Sequence, residues 1–486
     1  MMIKKIISIY PLYILLGLYF IFSFLTYKNY GITADEALEY KLGKTLITFF
    51  TNKLEYNNLE LFKQDPYLKS YYHFYPMLLN LINPKGYYEW FHLANLLFAS
   101  LIIIGAYILC YKEYKNKYYA VIAPIVILLV PRFFGDIPAN SKDMPFAVMF
   151  FLSLAALYLF NKKAKHNFIE LLLIGILLGF TQSLRIIGYT LYFIYFVDLF
   201  IKYKKITFLN LQNLIVITIV AHTLMWLTWP YINENITNII KIVTLSKNFT
   251  PWNGQILYLG QFLTREQRPW HYLFVWLLIS TPVFITIMHF ISFKFALKDN
   301  LLKLVLFTIY LNFIAYLLLN PVIYNGLRHF LYLLPLIAIT AAIVIIKTIN
   351  IRFVKYIYLF FAIFIGYQMF KLHPYEYIYF NPIAKKVFNI EKTFETDYWG
   401  ISYKQASEEI IKYLEINNIE KPLVYACNID YAVSYYSKGK FILTNKTEKA
   451  NFIICDTERD IIRKNNQKIF SSIQADGITL NVIRVN

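Results

Sequence analysis

The chain has no Walker A segment, no Rossmann glycine fingerprint, no Cys-x-x-Cys and no His-x-x-x-His pair, so soluble nucleotide chemistry and the common zinc spacings have no foothold in it. Energy for any transfer reaction must arrive already stored in the substrate. Cysteine is scarce: Cys110, Cys427 and Cys455 are the full set of three, too few for a disulfide framework. A bridge between Cys427 and Cys455 would need an oxidising compartment, and buried free thiols are the expectation. Acidic side chains are also in short supply, with 29 Asp and Glu against 48 Lys and Arg and a net charge of +19. That excess raises the question of nucleic acid, but the basic residues fall in short clusters between apolar runs, the pattern that orients helices against anionic lipid. Nucleic-acid binding is therefore set aside. No internal repeat and no low-complexity segment stands out.

What is abundant is apolar. The 486 residues are 58% hydrophobic and 19% aromatic, with a mean hydropathy of +0.46. One soluble core cannot hide that much apolar surface, and the long apolar runs need lipid. The first run, Ile7 to Tyr27, is preceded by Lys4 and Lys5 and has no small-residue cleavage site before Lys28, so it reads as an uncleaved anchor with its N-terminus in the cytoplasm. The clusters Lys112/Lys115/Lys117, Lys162/Lys163/Lys165, Lys202/Lys204/Lys205, Lys294/Lys298/Lys303 and Lys347/Arg352/Lys355 each follow an apolar stretch and are placed in the cytoplasm. Two cytoplasmic loops are joined by an even number of crossings. The spans expected on that basis run from roughly 7–27, 91–111, 118–132, 144–160, 168–184, 187–201, 212–231, 271–292, 303–320, 329–347 and 355–372, about eleven helices with the N-terminus inside and the C-terminus outside. The fold class expected is an all-α polytopic membrane protein with a small C-terminal α/β domain outside the membrane. Several spans are short for a full bilayer, above all the pair meeting at Arg185 to Gly188, which implies a water-filled recess or a misplaced boundary.

The membrane domain is expected over 1–372 and the outer domain over 373–486. Two outer loops, 28–90 and 232–270, are long enough to do something. The first balances seven Lys against seven Asp or Glu, and Leu38, Leu42, Leu46 and Phe49 recur at helical spacing, as in a helix lying in the membrane interface. The second carries Trp252 and Trp270 among polar residues, as expected for a loop or lid at headgroup level. In the tail, Gln405 to Leu414 has a helical pattern, Leu423 to Ala426 and Phe452 to Ile454 read as short strands, and Asp476-Gly477 marks a closing hairpin.

The charges that could carry chemistry collect at the outer helix ends. Thr33-Ala34-Asp35-Glu36 places two carboxylates just past the first span. Helix physics offers a competing account, since Thr33 and Glu36 match a capping box and an acid in the first turn suits the helix dipole. Asp143 opens the fourth span, where an N-cap role competes, but Arg132, Asp136, Lys142 and Asp143 crowd one short loop, which fits phosphate handling. Arg328 and His329 begin the tenth span. A cation at a helix N-terminus is disfavoured by the dipole and calls for an anion nearby, unless the arginine snorkels to lipid headgroups. Arg185 sits in the recess between the fifth and sixth spans and needs a partner. His271 opens the eighth span as either a hydrogen-bonded interface residue or, with Glu36, part of a sparse metal site.

These residues together resemble the GT-C membrane glycosyltransferases. The residues concerned are Asp35-Glu36 in the first outer loop, Arg132-Phe133-Phe134-Gly135 with Lys142-Asp143-Met144-Pro145-Phe146-Ala147, the loop ending Pro269-Trp270-His271-Tyr272, and Arg328-His329. The likeness is nearest to the group that contains protein O-mannosyltransferases and the lipid A aminoarabinose transferase, and covers about residues 1–372. The resemblance implies a polyprenyl-phosphate sugar donor, an inverting transfer and an active site on the outer face of the cytoplasmic membrane, with Asp35 as the base that deprotonates the acceptor hydroxyl. Arg328, Lys142 and Arg185 would supply positive charge to the leaving phosphate. Glu36 and Asp143 would help place the acceptor, or hold a divalent ion if one is used, while His271 and His329 border the substrate. No organic cofactor is implied. The acceptor stays open among lipid, glycan and protein. A transporter or flippase of lipid-linked saccharide, or an oligosaccharide polymerase or ligase, are the competing functions; transporters place their charges nearer the midplane and show repeated halves.

Overall fold

The computed structural model describes residues 10–52, 59–163, 165–247, 254–264, 266–463 and 467–486. Lys4, Lys5 and Trp252 lie outside the described residues. Each of the apolar runs expected to span forms helix. Among the described residues five helices are long and apolar enough to cross a bilayer: Tyr88–Tyr114, Asp143–Phe160, Ile186–Tyr203, Phe208–Thr228 and Asn300–Leu319. Two bent pairs raise the number to seven, and Tyr10–Thr26, Phe168–Leu184 and Leu333–Thr348 are shorter apolar helices. Val354–Leu372 is helical as well. Their outward faces carry exposed Leu18, Leu25, Phe208, Phe360 and Phe370, side chains that only lipid would cover. Helix Leu333–Thr348 is buried along almost its whole length at the centre of the bundle. The chain is a multi-pass membrane protein.

Two of the expected spans are bent. Lys117–Leu128 and Pro131–Ala139 meet at 70°, with proline at the first position of the second helix, where its missing N–H costs nothing. Tyr272–Ser280 and Val283–Ala296 meet at 114° across Thr281-Pro282. Every residue of Pro131–Ala139 is buried, and Gly135 is needed there because a Cβ would lie 2.0 Å from the backbone nitrogen of Tyr377.

In the segment 28–90, Leu42 and Leu46 of helix Glu36–Asn52 are buried against Phe62, Leu68 and Met77, so the periodic face expected to meet the interface packs instead on the segment's own helices. In the second loop a two-stranded hairpin, β1 (Ile256–Tyr258) with β2 (Gln261–Leu263), lies against the tail: Gly260 N–H bonds the Thr393 carbonyl at 3.1 Å, and Glu395 N–H the Leu257 carbonyl at 3.2 Å.

The tail contains helix Ser402–Asn417 and a five-stranded mixed sheet. Its strands are β3 (Leu423–Ala426), β4 (Ile442–Leu443), β5 (Phe452–Asp456), β6 (Lys468–Ala475) and β7 (Ile478–Val485), in the order β4-β3-β5-β7-β6. β3 is parallel to β4 and β5; β7 is antiparallel to β5 and β6. The β6–β7 turn has positive φ at both Asp476 and Gly477, the chemistry of a tight hairpin. Cys427 and Cys455 are joined by a disulfide, which corrects the expectation of free thiols. The parallel pairing of β3 with β5 brings their Cα atoms to 4.9 Å, a neighbourhood the linear sequence does not display. Cys110 is free and buried.

Candidate active site

Three chain segments far apart in sequence deliver one network of charges. The first is the turn before helix Glu36–Asn52, which carries Asp35. The second joins Pro131–Ala139 to Asp143–Phe160: the Asn140 amide oxygen accepts the backbone N–H of Lys142 at 3.2 Å and of Asp143 at 2.8 Å. Asn140 therefore caps this helix start, and the Asp143 carboxylate is released from the capping role. The third is the stretch after Asn320, whose left-handed backbone ends helix Asn300–Leu319 and lets the chain run to Arg328.

Arg328 bridges the other two segments. Its Nη2 lies 2.8 Å from Asp35 Oδ2 and its Nε 3.1 Å from Asp143 Oδ2. Lys142 Nζ lies 3.5 Å from Asp35 Oδ2 and 3.0 Å from Glu39 Oε1. Arg185, in an extended break between its two helices, pairs with the other oxygen of Asp143. The side chain of Arg328 is only 6% exposed, which removes the snorkelling alternative. Asp35 at 28% and Arg185 at 31% remain open to the surroundings.

The electrostatics follow from the pairing. Burial raises the Asp35 carboxyl, but the charges of Lys142 and Arg328 outweigh it and hold Asp35 well below the usual carboxylate range. Lys142 and Arg328 are held above their ordinary values for the reciprocal reason, their own burial being overcome by Asp35. Arg185 is brought down to about 10 by burial and by the like charge of Arg328. Glu39 is pushed up, burial exceeding the help it receives from Lys142. His329 lies against the edge of the Tyr324 ring. Three cations thus face three carboxylates, with each of Arg328, Lys142, Asp35 and Asp143 shared between two partners.

Other expected residues lie elsewhere. Glu36 turns away from the network: it accepts the Thr33 N–H at 2.6 Å and meets His92 Nε2 at 2.9 Å, with both side chains buried. Half of the expected capping box is present, since the Thr33 hydroxyl goes to the Ala139 carbonyl instead. His271 Nδ1 contacts the Tyr258 hydroxyl at 2.7 Å, so the pairing of His271 with Glu36 around a metal is corrected: a nearer histidine occupies Glu36. Among the described residues no group of three or more His, Cys, Asp or Glu is placed to hold a metal ion. The donor set also fits one poorly, because Asp35 and Asp143 are already neutralised by cations. Arg132 does not join the network either; its guanidinium stacks 4.8 Å over Trp276.

Glu39 and His92 escaped the sequence reading. Glu39 lies one helical turn beyond Asp35, a spacing that would have revealed it. His92 carried no local signal.

The helical bundle with its sheet-bearing tail is similar in fold to solved structures of a membrane enzyme, ArnT. ArnT from Cupriavidus metallidurans bound to undecaprenyl phosphate matches it at a TM-score of 0.53 and 10% identity, over 97% of this chain and 97% of that one. ArnT in the apo state gives the same score and identity over 99% and 98%. The archaeal oligosaccharyltransferase AglB from Archaeoglobus fulgidus, in complex with an inhibitory peptide and a dolichol-phosphate, reaches 0.48 at 13% identity over 93% of this chain and 70% of that one. No protein-family model matches the sequence, and no curated protein sequence matches it.

Proposed function

We propose that the protein is a glycosyltransferase that moves a sugar, with inversion, from a polyprenyl-phosphate carrier to an acceptor hydroxyl on the outer face of the cytoplasmic membrane. The supporting observation is the partly exposed carboxylate of Asp35 in direct contact with Arg328 and Lys142, on a fold shared with ArnT, a structure of which holds undecaprenyl phosphate. In this reading about eleven helices cross the membrane, the N-terminus is cytoplasmic, and the tail from 373 forms an outer α/β domain over the site.

The acceptor oxygen attacks the anomeric carbon as the bond from that carbon to the phosphate oxygen breaks. The electron pair leaves with the phosphate, and the acceptor proton passes to Asp35. The departing group is a polyprenyl phosphate monoester, a weakly basic leaving group that needs positive charge more than a proton. Arg328, Lys142 and the half-open Arg185 supply it. Asp35 in its resting pairing is a weak base. A donor phosphate that draws Lys142 and Arg328 toward itself takes charge away from Asp35, raising its basicity when the acceptor needs it. Asp143 keeps both arginines oriented.

Deleting the gene should make one polyprenyl-phosphate sugar accumulate in the membrane lipids, identified by mass spectrometry. An unchanged lipid profile in cells that normally make the protein overturns the proposal.

A further inference from the structure

The tail meets Arg328 at the turn Asp397 to Gly400. The Asp397 carboxylate accepts the N–H groups of Gly400, Ile401 and Ser402 at 2.9–3.0 Å, which fixes the turn and starts the following helix. Gly400 has φ +75°, which favours glycine. From this turn Trp399, 1% exposed, makes three separate contacts. Its ring lies 4.4 Å from the Arg328 guanidinium carbon. Its Nε1 donates to Asp136 Oδ1 at 2.9 Å. Its carbonyl accepts the N–H of Ala34, the residue before Asp35, at 3.0 Å. Helix Asp430–Ser437 of the tail grips the same strand: Tyr436 Oη accepts the Ile32 N–H at 2.9 Å, and Tyr431 donates to the Thr33 carbonyl. Gly31 is required beneath them, since a Cβ there would lie 2.3 Å from the Ile401 carbonyl.

We infer that the outer domain is part of the catalytic apparatus, with Trp399 as the positioning residue that holds the Arg328 guanidinium against Asp35. This rests on the reading of Asp35 as the base. Arg328 has two edges to offer and two faces to protect. The indole covers one face and leaves the edges to Asp35 and Asp143, so at rest the guanidinium is held beside the carboxylate while an edge can still turn to an incoming phosphate. Without the ring, Asp35 keeps Lys142 but loses the steady partner. Glu39 behind Lys142, with Tyr71 and Tyr431, are the other titratable groups facing Asp35.

A carbodiimide reacts with a protonated carboxyl, so labelling of residue 35 near pH 5, read by peptide mass spectrometry, reports whether its cation is in place without requiring the sugar donor. In full-length protein in lipid nanodiscs, Trp399→Leu should raise that labelling about fivefold or more, while Trp399→Phe, which keeps a ring over Arg328, should stay within about twofold of wild type. Labelling unchanged in a folded Trp399→Leu protein, or raised equally in Trp399→Phe, overturns the inference. If Trp399→Leu does not fold, Trp399→Met fills more of the site and is judged by the same criterion. Wild-type turnover in Asp35→Asn would defeat the assignment of the base and leave the labelling result standing by itself.

Discussion

Helix Asp143–Phe160 has ion pairs at both ends, and the two sets are built differently. Beyond its last turn, Lys162 pairs with Glu113, Lys202 with Asp198 at 2.6 Å, and Lys347 with Asp299 at 2.7 Å. Each of these cations has one carboxylate, and the carboxylates are tied down further: Asp198 by Asn161, Asp299 by Tyr114 and by capping Leu302. These are closed pairs, and one of them, Lys202 with Asp198, lies within a single helix. At its first turn the ions are shared, with Arg328 serving Asp35 and Asp143, and Lys142 serving Asp35 and Glu39. A closed pair gives nothing to an incoming anion. A shared cation can turn to a third anion while its former partner keeps another cation, so the network can open without stranding a buried charge.

The largest effect should come from removing the one carboxylate at the solvent-open side of that network. Asp35→Asn keeps the shape and leaves Arg328 on Asp143, so the protein should fold and bind undecaprenyl phosphate while turnover drops about 10²–10⁴-fold. Turnover within tenfold of wild type would remove the base from the scheme. The next effect separates the two ends. Arg328→Ala should weaken binding of undecaprenyl phosphate at least about tenfold. Lys202→Met should leave that binding alone but cost about 3–5 kcal/mol of stability, since it strands Asp198 at 1% exposure. Equal losses of binding in both variants would erase the distinction drawn between the ends.

Asp35, Lys142, Asp143, Arg185 and Arg328 were all legible in the sequence, because an ionisable residue beside an apolar run carries its own cost and demands a reason. Their mutual pairing was not, since nothing local tells Arg328 that its partners lie at 35 and 143. The apolar runs gave helices where expected, while the bends at Pro131 and Pro282 broke two of them; proline marks such a break but not its angle. The hairpin at Asp476-Gly477 was readable from turn chemistry. Glu36 and His271 misled for one reason: each was matched to a partner by class, whereas the fold supplied His92 and Tyr258. Trp399 lies in a stretch, Glu395 to Gly400, that stood out in the tail, but its role was not readable there. A tryptophan in a soluble tail reads as core, and only the packing of that tail on Arg328 gives it another role.

The smallest effect tests a third arrangement, a carboxyl whose burial outweighs the cations near it. Glu395 accepts from the Tyr272 hydroxyl and the Gly326 N–H at 3.2 Å each and is 1% exposed; burial pushes it above the ordinary carboxylate range despite those bonds. A carboxyl raised in the folded state binds a proton that the unfolded chain, titrating near about 4.3, has already lost. Stability therefore falls as pH rises from that value through the raised one, the reverse of what Asp35 contributes. Thermal unfolding of the wild type should show a midpoint that declines by a few degrees between pH 5 and pH 8, and Glu395→Gln should make that decline shallower because its amide has no proton to lose. An identical slope in the variant would mean that Glu395 is ionised in the fold. In that case the buried Arg132 beneath Gly326 would have to be its counter-ion, and Glu395 would belong with the closed pairs at the far end of the bundle rather than standing apart from both sets.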